Sequence, residues 1–202
     1  MEPMSARTEL RADGLHIFGY VNVPGRWSRP VLTAKYGKVI EVIEQGAFQK
    51  AIDAAKNGIK MLLDHNRDRV LADTTDGTLK LYEDEIGLKA EAVVTDEAVI
   101  DGARNEKLKG WSFNMMNVED QLEVVGDGEL PRRHVKSFDM DEITLVMNKM
   151  PIYSATSVEV RADSETEVEE RATISTFEME KPAKKPENPL DEYRNRLNSL
   201  KR

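Results

Sequence analysis

The 202-residue chain contains no cysteine. Disulfides, thiolate metal sites and a cysteine nucleophile are therefore excluded, and the composition suits a reducing compartment. Histidine is scarce, with His16, His65 and His134 only, and no two of them lie at the short spacing of an H-x-x-x-H zinc pair. No run approaches the ~20 apolar residues of a membrane-spanning helix. Residues 1–13 carry charges without an apolar core, so neither a membrane partner nor a signal peptide is expected. Basic residues are also in deficit: 29 Lys and Arg against 37 Asp and Glu give a net charge of −8, the wrong sign for neutralising phosphates. Nucleic acid is thus not an expected partner, and the cytoplasm is the expected location.

Hydrophobic residues, at 40%, are sufficient for one domain with a core. Leu15 to Val23 reads as a first strand, entered by Asp13-Gly14 and ended by Pro24-Gly25. Val39 to Ile43 is a second. Phe48, Ala51, Ile52 and Ala55 then share one helical face over 46–57, with Asn57-Gly58 as a stop. Ile59 to Leu63 returns to strand character and delivers His65 at its end. Val70 to Asp73, Thr78 to Tyr82 and Leu88 to Val94 are further strands, with Asp76-Gly77 as a hairpin turn between the first two. Thr95 or Asp96 caps a helix running to about Lys107. Trp111 to Val118, Leu122 to Val125, His134 to Phe138, Ile143 to Met147 and Thr156 to Val160 complete the strands.

Strands dominate and two helices interrupt them without regular β-α alternation. The expected class is therefore mainly β with flanking helices (α+β), as a closed or nearly closed small β-barrel. The domain is expected over 1–162. Residues 163–188 are acidic, then basic and proline-containing, which predicts a flexible linker. At the end, Asn188 and Pro189 start a short amphipathic helix over 189–202, with Leu190, Tyr193, Leu197 and Leu200 on one face. This helix is either a plain terminal element, a docking peptide or a segment removed during activation.

Three segments carry potential chemistry. Ser112 lies in Gly110-Trp111-Ser112-Phe113-Asn114-Met115-Met116, His65 in Asp64-His65-Asn66, and an acid pair in Asp141-Glu142-Ile143-Thr144. A serine hydroxyl becomes a nucleophile when a base takes its proton, and histidine titrates near operating pH. An acid then orients the imidazole. In strand alternation Ser112, Asn114 and Met116 share a face, as do Glu142, Thr144 and Val146, so neighbouring strands can bring Glu142 towards Ser112. Only one of Asp141 and Glu142 can point there, and His134 is the rival for the third position.

The order His, Ser, acid and the local words resemble the prohead (capsid maturation) protease family of tailed phages, which shares its fold with the herpesvirus assemblin proteases. The resemblance covers about residues 8 to 162. Its words are Gly19-Tyr20, the run Glu41 to Phe48, Leu63-Asp64-His65-Asn66-Arg67-Asp68, Gly77-Thr78-Leu79, Gly87-Leu88, Trp111-Ser112-Phe113-Asn114-Met115, Glu142-Ile143-Thr144-Leu145-Val146 and Pro151-Ile152-Tyr153. It implies a serine endopeptidase with Ser112 as nucleophile, His65 as general base and Glu142 as third member, with no cofactor. It implies a place inside the prohead in the host cytoplasm, the major capsid protein and scaffold segments as substrates, and self-trimming between Asp163 and Asn188. By analogy with the herpesvirus enzymes it implies a homo-oligomer, a dimer. The alternative on the same fold is a catalytically silent capsid-assembly or scaffolding protein. Two residues depart from the family pattern: Trp111 where a smaller residue is usual, and Asn114 where glycine is usual. Both are expected to alter the pocket beside Ser112. Lys149 is a candidate for assisting oxyanion stabilisation.

Overall fold

A computed structural model of the chain describes residues 4–148, 158–159 and 168–180. The strands are β1 (Met4–Arg11), β2 (Gly14–Asn22), β3 (Val31–Thr33), β4 (Gly37–Ile43), β5 (Lys60–Leu63), β6 (Asn66–Asp73), β7 (Leu79–Glu83) and β8 (Leu88–Val94). They continue with β9 (Gly110–Glu123), β10 (Arg132–Asp139), β11 (Glu142–Val146), β12 (Val158–Glu159) and β13 (Val168–Met179). Two helices, α1 (Ala47–Ala54) and α2 (Glu97–Arg104), lie between them. The fold is mainly β with two helices, as the patterning predicts. Among the described residues no helix is long and apolar enough to cross a membrane.

Period-two burial accounts for the strands. Leu15, Ile17 and Val21 of β2 face Leu88, Ala90, Ala92 and Val94 of β8 in the core, while intervening residues face outward. Helix α1 lays Phe48 and Ala51 onto this core, where Phe48 meets Phe113 and Phe138 edge to face, with centroids 5.1 and 5.4 Å apart. Burying Phe48 fully contributes about 1.5–3 kcal/mol. Helix α2 starts where the sequence predicts: the Asp96 carboxylate accepts the Val99 N–H at 3.1 Å.

The sheet runs β3-β4-β10-β9-β13-β1-β2-β8-β7, with β11, β5 and β6 branching from β9. Strand β9 is the hub. Its first part pairs with β11 on one edge and β13 on the other, and its second part pairs with β10. One 14-residue strand therefore stands where two were expected. The closed barrel is not found: the hydrogen-bonded path ends at β3 and β7, and among the described residues no pairing joins them.

The linker expected over 163–188 is corrected for residues 168–179, which form β13 in the middle of the sheet. It pairs antiparallel with β9 and parallel with β1, itself unforeseen. Hydrophobic periodicity misses β13 because its buried residues are polar: Glu169, Arg171 and Ser175. The helix expected over 189–202, Lys149 and the Pro151-Ile152-Tyr153 word lie outside the described residues.

Candidate active site

His65 stands at the tip of the β5–β6 hairpin. Leu63 pairs with Asn66, so Asp64 and His65 are the two central turn residues, with φ of 50° and 59°. Positive φ at both positions is the mark of a type I′ hairpin, and Asp and His tolerate it better than most residues. The Asp64 carboxylate accepts the Met147 N–H at 2.8 Å and the Asn148 N–H at 3.1 Å, tying the tip to the end of β11. Strand β5 also pairs with β11 in parallel, Leu63 opposite Leu145.

The β9–β11 register sets Ser112 opposite Thr144, with Glu142 two residues before it on the same face. His65 Nε2 lies 2.9 Å from Ser112 Oγ, and His65 Nδ1 lies 2.8 Å from Glu142 Oε1. Residues 47 and 77 positions apart in sequence thus form one hydrogen-bonded chain. Thr144 Oγ1 at 3.4 Å and Glu170 Oε1 at 3.6 Å also face Nδ1.

Ser112 is 1% exposed and Glu142 4%, so these bonds form away from bulk water, where they are electrostatically stronger. The Ser112 hydroxyl donates to the Arg171 carbonyl at 2.9 Å, across the β9–β13 pairing. Proton counting gives this contact meaning. With both ring nitrogens protonated, Nδ1–H donates to Glu142, Nε2–H to Ser112, and the hydroxyl to Arg171. For the hydroxyl proton to pass to Nε2 instead, Oγ–H must turn from the Arg171 carbonyl to the imidazole.

Arg171 is itself fixed in a buried ionic cluster. Its guanidinium pairs with Glu41 and Glu169, while Arg133 holds Glu169 through two bonds of 2.6 and 2.7 Å and Asp120 at 2.6 Å. Lys35 reaches Asp120 at 3.2 Å, so three cations meet three carboxylates and the cluster is neutral. Burial opposes the charge of Arg133 and Arg171, but the carboxylates outweigh it and hold both guanidiniums above their ordinary values. This cluster clamps β13 to β4, β9 and β10.

Of the other candidates, Asp141 turns away from His65. Burial raises its pKa, yet Arg67 at 2.9 Å and the Asn114 amide outweigh that and hold it below the usual carboxylate range. His134 lies on β10 against the edge of Trp27 and near Glu123, and contacts neither Ser112 nor His65. His16 bonds to Asp13 at 2.9 Å, an ordinary strand-end role. Trp111 is corrected too: it is fully buried on the opposite face of β9, packed on Phe177, and does not line the Ser112 side. Asn114 does lie on the Ser112 face.

Sequence reasoning missed Thr144, Glu170 and Arg171 as neighbours of the site. Thr144 lay inside the acid word, but the other two carried no signal except an acidic-basic pair in an apparent linker. His65, Glu142 and Glu170 also bring ligand atoms within 4.8 Å of one another, a donor set suited to a divalent cation. Coordination through Nδ1 would displace the proton that it shares with Glu142.

A hydroxyl, an imidazole and a carboxylate in hydrogen-bonded series can perform acyl transfer. No curated protein and no solved structure gives a significant match to the chain. The caudovirus prohead serine protease family matches residues 3–171, which include His65, Ser112, Glu142 and the first residues of β13. The chain therefore belongs to the caudovirus prohead serine proteases and is a serine protease.

Proposed function

We propose that this protein is the endopeptidase of phage capsid maturation, with Ser112 as nucleophile, His65 as general base and Glu142 as the orienting acid. The observation that carries this reading is the continuous chain from Glu142 Oε1 through both imidazole nitrogens to Ser112 Oγ. Oγ attacks the scissile carbonyl carbon while its proton passes to Nε2. Glu142 keeps the other proton on Nδ1 and stabilises the imidazolium. His65 then protonates the leaving amine, and a water attacks the acyl ester with His65 again as base. Before the first step the hydroxyl leaves the Arg171 carbonyl and turns to Nε2.

The substrates are extensions of the major capsid protein and of scaffold segments, inside the prohead. The enzyme acts as a homo-oligomer, a dimer, and trims itself between Asp163 and Asn188. A paired strand does not thread into a protease, so this cut falls outside β13, before Val168 or after Met179. Co-expression with the cognate capsid protein tests the function. Wild type shortens the capsid protein and Ser112→Ala leaves it intact, whereas cleavage by the variant at the wild-type rate would sink the assignment. Intact mass after incubation tests self-trimming separately.

A further inference from the structure

Asn114 is wholly buried, yet it carries an amide whose hydrogen bonds among the described residues go to residues 141 and 142. Its Oδ1 accepts the backbone N–H groups of Asp141 and Glu142, each at 3.3 Å. Its Nδ2 donates to the Asp141 carboxylate, which Arg67 holds from the other side at 2.9 Å. Asn114 follows Ser112 by two residues on the same face of β9. Ile143 is paired with Phe113, so continuing that register sets Asn114 directly opposite Glu142. The paired ladder stops there. At the entrance to β11 a side-chain amide thus takes the place of a strand carbonyl as acceptor.

We propose that Asn114 is a positioning residue for the proteolytic reaction. It fixes the backbone at Asp141–Glu142 so that the Glu142 carboxylate meets His65 Nδ1, a role that rests on the Ser112–His65–Glu142 reading above. Glu142 Oε1 bonds to His65, while among the described residues Oε2 has no hydrogen-bond partner. The carboxylate is therefore placed by the backbone beneath it, which Asn114 holds on the β9 side while the Lys60 N–H of β5 donates to the Asp141 carbonyl at 3.0 Å on the other.

Among the described residues, the groups facing the His65 ring are Glu142 from β11, Glu170 from β13, and the hydroxyls of Thr144 and Ser112. Asp64 adjoins His65, but its carboxylate is turned to residues 147 and 148. The Asp141–Arg67 pair lies beyond Asn114. All these groups remain when Asn114 is replaced, so a changed pH profile reports the placement of Glu142.

The test uses the full chain and a fluorophosphonate probe, which phosphonylates an activated serine hydroxyl with loss of fluoride. Its rate is followed across pH. Wild type labels and Ser112→Ala does not; equal labelling of the two would overturn the underlying reading, and this proposal with it. Asn114→Ala is expected to label about 10- to 100-fold more slowly, the scale of a small misplacement of a reacting group. The pH midpoint of its rate should move down, because the imidazolium has lost its ordered carboxylate.

On a Glu142→Gln background Asn114→Ala should add little further loss. Exchanging the two groups, Asn114→Asp with Asp141→Asn, reverses donor and acceptor and should recover much of the rate lost in Asn114→Ala. Asn114→Leu fills the same space without hydrogen bonds and replaces Asn114→Ala should that variant fail to fold. An unchanged midpoint in a folded Asn114 variant, or an equal loss on the Glu142→Gln background, would reduce Asn114 to packing and overturn the proposal.

Discussion

Asp64 accepts the backbone N–H of Met147 at 2.8 Å, so the hairpin tip bearing His65 is tied to the end of the strand bearing Glu142. His65 and Glu142 thus hold their distance partly through the Asp64 carboxylate. Asp64→Ala removes that tie and also places alanine at φ 50°, which costs roughly 1–2 kcal/mol. Asp64→Asn keeps an acceptor oxygen and the turn preference. Cleavage of a capsid-protein fragment should fall about 10- to 100-fold in kcat for Asp64→Ala and clearly less for Asp64→Asn. Equal losses in the two would show that the charge of the carboxylate, and neither the acceptor oxygen nor the turn preference, matters.

Glu142→Gln leaves the site in shape but cannot hold the imidazolium or the same tautomer. A loss in kcat on the order of 10⁴ is expected, the scale seen when a triad acid becomes its amide. His134→Ala, which among the described residues removes contacts to Trp27, Glu123 and Glu44, should cleave at the wild-type rate. Paired kinetics on one substrate check both.

A methyl group on Gly110 would lie 2.1 Å from the Thr173 carbonyl oxygen and 3.0 Å from the Ile174 Cα, both backbone atoms that cannot swing aside. Gly110→Ala should therefore push β13 from β9 at the start of the strand that carries Ser112. A stability loss of about 1–3 kcal/mol is expected. Faster amide hydrogen exchange in residues 172–175 than in wild type would locate it; unchanged exchange there would place the strain elsewhere.

Arg133→Met leaves Asp120, Glu41 and Glu169 buried with one guanidinium fewer. Breaking a buried ionic cluster from one side costs about 3–5 kcal/mol. Urea unfolding should show this as a lower midpoint, and a midpoint within error of wild type would show that the three carboxylates do not depend on Arg133.

Acid should destabilise the protein through the same cluster. Burial raises the carboxyl pKa of Asp120 and Glu169, but hydrogen bonds from Tyr36 and Arg133 to Asp120, and from Arg133 and the nearby Arg171 to Glu169, outweigh it. Both are depressed. A depressed folded pKa means that the unfolded chain binds more protons. Their contribution is therefore complete above the unfolded values of about 3.9 and 4.3 and is lost as pH falls through the folded ones. Unfolding free energy measured from pH 6 down to pH 3 should decline below about pH 4, and less steeply in Asp120→Asn.

The strands with an apolar inner face were legible residue by residue. Leu88, Ala90, Ala92 and Val94 alternate because one side of β8 meets the core, and solvent on the other side enforces the contrast. The hairpin that carries His65 ends where its strand pattern stops, and Asp96 caps α2 because a free N–H needs an acceptor. Strand β13 was illegible for the opposite reason. Its buried positions hold Glu169 and Arg171, which pair with each other and with Glu41 and Arg133 from β4 and β10. No local pattern records a neutralisation that spans 130 residues.

The site divides along the same line. Residue types and order determined which side chains can do acyl-transfer chemistry, since a serine, a histidine and an acid can supply nucleophile, base and orienting charge. Tertiary structure decided that Glu142 and not Asp141 or His134 meets His65, that Trp111 is core, and that Asn114 and β13 border the site. Chemistry is a property of single residues and so is written in the chain. Which groups touch is set by strand register and by burial of distant partners, and these exist only once the sheet has formed.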